Sequence, residues 1–204
     1  MRISLLHMSD KNIPYYEAAA PAGVFLTHFV RSDILYRAMT QPGPGVAGET
    51  GLYMRRIMAG ADAALITCSL LSGIAGPEVN SADRLLADLV AEEAAGLRVD
   101  VLFTTLVAED AIRALFTRER TGADIRVVPV HEARDHFVAG DIDRHDALAR
   151  AAIAASDADR IVLLQGPLAA AAPQDPRVIR GPEAALARLA SLSAAPLPLR
   201  GHRA

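Results

Sequence analysis

Tryptophan is absent from this 204-residue chain, and aromatic residues make up only 4% of it. That argues against a surface that stacks bases or sugars. The single cysteine, Cys68, cannot close an internal disulfide. No apolar run approaches the ~20 residues of a membrane span, so no membrane partner is expected. Neither sign of charge dominates: 21 basic and 24 acidic residues leave a formal net charge of −3. Nothing therefore points to nucleic acid. The opening Met1-Arg2-Ile3-Ser4-Leu5-Leu6-His7 is too short and too polar for a signal peptide. A GxGxxG after a strand and a P-loop signature are both missing, which leaves nucleotide binding without support. The expected protein is soluble and cytoplasmic.

What the chain has in quantity is apolar residues, 51% by count, many of them alanine, which favours helix. Its length suits one large domain or two small lobes. Apolar runs predict strands over 2–6, 22–30, 63–66, 97–103, 124–130, 160–164 and 177–179. Between them, periodicity and capping residues predict helices over 14–20, 32–39, 49–59, 81–95, 109–120, 141–156 and 182–192. Leu52, Ile57 and Met58 are expected to face inward from one of these helices, and Ile142, Leu148 and Ile153 from another. Gln41-Pro42-Gly43-Pro44-Gly45 is a breaker cluster, either a mobile loop over a site or a plain connector. Strands alternating with helices call for a mostly parallel sheet covered on both faces.

The stretch Ala63-Ala64-Leu65-Ile66-Thr67-Cys68-Ser69-Leu70 reads as a buried strand, a tight turn and a helix start. Open α/β sheets bind ligands at such strand ends. A thiol facing the first N–H groups of a helix is expected to ionise more readily and react faster. The plainer alternative is a buried, inert cysteine that packs as a small hydrophobe. A second segment echoes the first: Asp159-Arg160-Ile161-Val162-Leu163-Leu164-Gln165-Gly166-Pro167-Leu168 repeats the acid, buried strand, polar turn and small-residue helix start that follow Asp62. Two lobes related by a pseudo-twofold axis would face these turns across a cleft.

With Leu5-Leu6-His7, Phe137-Val138-Ala139-Gly140-Asp141 and the two echoing segments in this order, the chain resembles the aspartate/glutamate racemase superfamily over most of residues 1 to 192. That superfamily includes hydantoin racemases, maleate isomerases and arylmalonate decarboxylases. The resemblance implies an α/β fold of two pseudo-symmetric lobes, each a mostly parallel sheet flanked by helices, with the site in the cleft between them. Residues 1–95 would form the first lobe, completed by the helix over 182–192. Residues 96–181 would form the second, and 193–204 a loose tail. It implies isomerase chemistry on a small carboxylate or cyclic amide without metal or organic cofactor, in a homo-oligomer, a dimer or higher.

Carried over by motif, Cys68 is the first-lobe thiol. The backbone N–H groups of Ser69 and Leu70 would hold a substrate carboxylate, with the Thr67 and Ser69 hydroxyls adding hydrogen bonds. The superfamily's second thiol would fall at Gly166, and this chain has no second cysteine. Pro167 removes a further backbone donor. Two-thiol racemisation is therefore excluded. A single-thiol racemase or isomerase, a one-sided decarboxylase or lyase, racemisation with a partner such as His7, and a non-catalytic relative that binds a small acid or a protein remain open.

His7, after the first strand, is expected near Cys68, where it would polarise the thiol or simply bond to backbone. Ser9, favoured over Asp10, stands where relatives carry polar site residues. Gln165, Thr104 and Thr105 end strands and would either bind substrate or cap the next turn. His131, His136 and His145 match no spacing of metal ligands. Asp141, Asp143 and Asp146 read as first-turn acids of a helix, and Arg113, Arg118 and Arg120 as a solvated helix face.

Overall fold

A computed structural model describes residues 1–74, 76 and 79–194. The first half contributes β1 (Arg2–His7), α1 (Ile13–Ala18), β2 (Phe25–Val30), α2 (Ser32–Thr40), α3 (Pro44–Met58), β3 (Ala63–Ile66), α4 (Ser69–Ile74) and α5 (Ala82–Glu93). The second contributes β4 (Arg98–Phe103), α6 (Glu109–Leu115), α7 (Arg118–Thr121), β5 (Asp124–Pro129), α8 (His131–Ala139), α9 (Ile142–Ala154), β6 (Arg160–Leu163), α10 (Gly166–Ala171), β7 (Val178–Arg180) and α11 (Gly181–Ala194). The strands form two separate sheets, ordered β2-β1-β3 and β5-β4-β6-β7. Every pairing is parallel, which requires the helical crossovers found between strands. This is the α/β, two-lobed arrangement that the resemblance implies.

The central strands β1 and β4 are buried on both faces. Along β1, Leu6 packs with Ile34, Met54 and Ile66, while Ile3 and Leu5 pack with Tyr16, Leu85 and Leu186. The sequence echo has a hydrogen-bonded counterpart. Asp62 N–H donates to Arg2 O at 2.9 Å, and the Asp62 carboxylate accepts from Arg2 N at 2.7 Å. In the other sheet Asp159 N–H donates to Arg98 O at 2.9 Å, and its carboxylate accepts from Arg98 N at 2.9 Å. At the opposite ends, Thr67 N–H donates to Leu6 O and Leu164 N–H to Leu102 O, both at 3.1 Å. The lobes meet where α4 packs on α6: a Cβ on Gly73 would lie 2.6 Å from the Ala111 Cβ, so only glycine permits this approach. Helix α11 packs on α5 and also reaches α1, α10 and β7.

Several local expectations change. Helix α3 starts at Pro44, inside the breaker cluster, with proline in its first turn, so 41–43 alone connect α2 to α3. Its buried positions are Val46, Thr50, Gly51, Met54 and Ile57. Leu52 and Met58 are exposed, as is Ile142 on α9. The helix expected over 109–120 is two helices, because Thr117 turns extended and its hydroxyl accepts from Arg120 N–H at 3.3 Å, capping α7. Helix α8 was not expected; it ends at Gly140, whose φ of 84° suits a left-handed terminus. The last helix runs through 193 and 194, which were assigned to the loose tail; the rest of that tail, 195–204, lies outside the described residues.

Candidate functional site

Strand β3 carries Thr67-Cys68-Ser69 to the end of the first sheet, and Cys68 opens α4: its carbonyl accepts from Ser72 N–H at 2.9 Å and from the Ser72 hydroxyl at 3.0 Å. The Leu70 and Leu71 N–H groups donate to the Cys68 sulfur and favour its thiolate, but burial outweighs them and, with the Asp83 charge nearby, pushes the thiol up to about 11. The expected direction was downward. The Cys68 side chain is half-buried against the core cluster that includes Leu6, Ile66 and Leu71, and this apolar packing penalises the anion more than two N–H groups can repay. The free protein therefore holds a neutral thiol near pH 7. The sequence pointed to the N–H groups of Ser69 and Leu70 as donors; here Leu70 and Leu71 take that role, toward sulfur.

Gln165 lies two residues past β6, just before α10, and spans the two lobes. Its Oε1 accepts from Thr104 N–H at 3.0 Å, which fixes its amide orientation, and its Nε2 donates to Ser69 Oγ at 3.2 Å. The Ser69 hydroxyl in turn hydrogen-bonds Asp83 on α5. Gln165 makes no side-chain cap to α10, and Thr105 none to the turn that follows it. Asp83 is 2% exposed, and its Oδ2 has no partner among the described residues. Burial raises its carboxyl to about 6, against the Ser69 hydrogen bond. Asp83 was missed from the sequence. The signal was there: it shares a helix face with Leu86, Ala87 and Val90, an acid on an apolar stripe.

His7 is the last residue of β1 and fully buried. Both ring nitrogens have partners other than the thiol: Nδ1 lies 2.9 Å from Thr67 Oγ1, and Nε2 lies 2.8 Å from His28 Nδ1. Burial, with His28 adding to it, pulls its pKa down to about 4, so the ring is neutral. The expected His7–thiol pair is thus replaced by a His7–Thr67 pair beside Cys68. Tyr16 packs edge-on against His7 at 5.4 Å between ring centroids, and burial together with Asp83 and Cys68 raises its phenol.

Ser9 stands apart from this group. Its hydroxyl accepts from Lys11 N–H at 3.2 Å and caps a short 3-10 turn. Gly166 and Pro167 open α10, both buried. Over Gly166 lies Tyr15 of α1, where a second thiol's side chain would stand. His131 bonds toward Thr104 O at 3.4 Å, His136 pairs with Asp141 and His145 with Asp146, three separate contacts. A recess of about 480 Å³ lined by Thr27, Phe29, Tyr53 and Arg56 lies on the first sheet, away from the Cys68 turn. Thr67, Cys68, Ser69, Thr104 and Gln165 are thus the expected residues that gather, with Asp83, His7 and His28 behind them.

No protein-family model and no curated protein matches the sequence. Solved structures do match the fold. The aspartate racemase of Picrophilus torridus superposes with a TM-score of 0.69 at 13% identity, over 97% of this chain and 96% of that one. An aspartate racemase homologue from Pyrococcus horikoshii gives 0.65 at 13% identity, over 95% and 99%. The allantoin racemase of Klebsiella pneumoniae gives 0.59 at 17% identity, over 95% and 88%. The chain has the racemase fold over nearly its whole length.

Proposed function

We propose that the chain is a cofactor-independent enzyme of the racemase and isomerase type, acting through Cys68 at the carbon next to a carboxylate or cyclic amide of a small substrate. The observation that carries this reading is the Cys68 turn itself: in a racemase fold, the one thiol opens a helix at the cleft end of β3, beside the only side chain that bridges Ser69 to the second lobe among the described residues. The Thr67 and Ser69 hydroxyls hold the substrate anion beside the thiol, and Gln165 and Thr104 face it from the second lobe. Exposed Tyr36 and Met39 on α2 and Leu52 on α3 support the expected self-association.

A neutral thiol, with a glycine at the position where the superfamily has its second thiol, favours one-sided chemistry, so a decarboxylase or lyase is the second reading. In a decarboxylation the bond from carbon to the departing carboxylate breaks and its electron pair stays on carbon as an enolate. Carbon dioxide leaves, and the S–H proton of Cys68 closes the new C–H bond, leaving a thiolate. The test is solvent deuterium incorporation into dicarboxylates, hydantoins and malonates, with Cys68→Ala as control. Incorporation that disappears in the variant supports the enzyme. No incorporation into any of them leaves a non-catalytic binder of small acids, and incorporation unchanged in Cys68→Ala removes Cys68 from the chemistry.

A further inference from the structure

The Ser69 hydroxyl carries one proton, and its neighbours decide where that proton goes. Gln165 Nε2 can only donate. It meets Ser69 Oγ at 3.2 Å, with its orientation fixed by the Thr104 N–H on Gln165 Oε1. Asp83 can only accept while it is ionised. The Ser69 O–H therefore points at the Asp83 carboxylate, and one lone pair of Oγ receives Gln165. What Oγ has left is a second lone pair. In that state Ser69 attracts a donor and turns away a carboxylate.

A single proton on Asp83 inverts this. The Asp83 O–H then donates to Ser69 Oγ, both lone pairs are taken, and the Ser69 proton turns into the remaining direction as a donor. The surroundings of Asp83 favour the change. It is 2% exposed, and its Oδ2 has no hydrogen-bond partner among the described residues. A buried ionised carboxylate with one oxygen unmet is costly, and a neutral carboxyl group is far less so. The charge is also felt around the turn, where it contributes to raising both the Cys68 thiol and the Tyr16 phenol. A substrate carboxylate brought to the same turn meets the same repulsion.

We propose that Asp83 is a positioning residue that must hold a proton before Ser69 can hold a carboxylate, so that the anion and one proton from solvent bind together. This rests on the reading of the Cys68 turn as the place where a substrate carboxylate sits. Each carboxylate that binds brings one proton onto Asp83, and the net charge of the site does not change. Burial raises the Asp83 carboxyl to about 6, so the coupling is felt above that pH. The groups nearest Asp83 stay neutral between pH 5 and 8: Tyr16 of α1 and Cys68 are both raised, and His7, beside Thr67, is lowered to about 4. Glu183 of α11 acts on Tyr16. On the helices packed against α5, Arg188 of α11 pairs with Glu92, Arg120 of α7 with Asp88 and Arg113 of α6 with Glu109. Helix α4 has no titratable side chain, and the Arg84 guanidinium donates to the carbonyls of Ser72, Gly76 and Val79.

Glycolate is a suitable probe, a small carboxylate whose own charge is constant between pH 5 and 8. Its affinity for the wild-type protein should fall about tenfold per pH unit above pH 6.5. Calorimetry at pH 7.5, in buffers of different ionisation enthalpy, should record close to one proton taken up per glycolate bound. Infrared spectra at the same pH should gain a carboxylic C=O band when glycolate is added. Asp83→Asn, whose amide donates to Ser69 at every pH, should bind glycolate equally well from pH 5 to 8, with no proton uptake and no new band. The proton count in the wild-type protein decides the matter even if that variant folds poorly. Wild-type binding that is flat with pH and takes up no proton overturns the proposal and leaves the reading of the turn intact. Should neither protein bind glycolate at pH 5, the turn holds no carboxylate, and that reading falls together with the proposal.

Discussion

Tyr15 fills the space above Gly166: a Cβ built on that glycine would lie 2.5 Å from the Tyr15 Cβ and 2.8 Å from its Cγ. The contact is with the root of the tyrosine side chain, which cannot swing away as a flexible tip would. Restoring a second thiol therefore requires α1 to shift. Gly166→Cys is expected to lower stability by about 1–3 kcal/mol, and Tyr15→Ala in the same chain to recover part of that. Denaturant melts of the single and double variants check it; a Gly166→Cys protein as stable as wild type would mean α1 yields freely.

Cys68 should alkylate slowly. With its thiol pushed up to about 11, the thiolate is scarce at pH 7.5, and iodoacetamide is expected to react roughly a hundredfold or more slowly than with a free thiol of pKa about 8.5. The rate should climb steadily through pH 9, and unfolding the chain should restore ordinary reactivity. A plateau below pH 8.5 in the folded protein would contradict this.

Asp83 and His7 pull stability in opposite directions with pH. Folding raises the Asp83 carboxyl from 3.8 to about 6, so its contribution is full at low pH and lost as pH rises through about 6. Folding lowers His7 from 6.5 to about 4, so its contribution is full above the ordinary histidine pKa and lost as pH falls toward 4. Each change is of order 3 kcal/mol at most, and they offset one another between pH 4 and 6. Asp83→Asn should gain about 1 kcal/mol or more at pH 7.5 and lose stability more steeply on acidification than wild type. Urea midpoints at pH 7.5 and 4.5 measure both.

Gln165 holds its place by donating to Ser69 and accepting from Thr104. Gln165→Ala strips both partners and should cost about 1–3 kcal/mol. Gln165→Glu keeps the Thr104 bond but offers Ser69 no donor, and it sets a second carboxylate near Asp83. Its deficit, unlike that of the alanine variant, should deepen between pH 5 and 8. A pH-independent deficit would show that the Ser69–Asp83 bond does not sense position 165.

Strand positions and the parallel, two-sheet architecture could be read from the sequence because buried parallel strands are short, continuous apolar runs, as in Ala63–Ile66 and Arg160–Leu163. Helix faces were harder. In α3 the alternatives differ by one residue in a turn of 3.6, and with Leu52 and Met58 apolar on the outside the pattern misled. Cys68, Thr67, Ser69, Thr104 and Gln165 were legible because each follows closely on the end of a strand. Asp83 and His28 were not, since their contacts depend on which helix or strand lies beside them, and a single sequence does not state that. The direction of the Cys68 shift was misread because a helix start shows in a sequence, whereas the packing that encloses a sulfur does not.

The matched Arg2–Asp62 and Arg98–Asp159 clasps sit at the ends of the central strands farthest from the Cys68 and Gln165 turns. Framework and rim are thereby uncoupled in each half. A substitution at the rim, such as glycine where a thiol would sit, leaves the clasp of that half untouched. The fold is thus free to carry a cysteine at one turn and a glycine at the other without loosening either central strand, a latitude that two identical halves would leave unused.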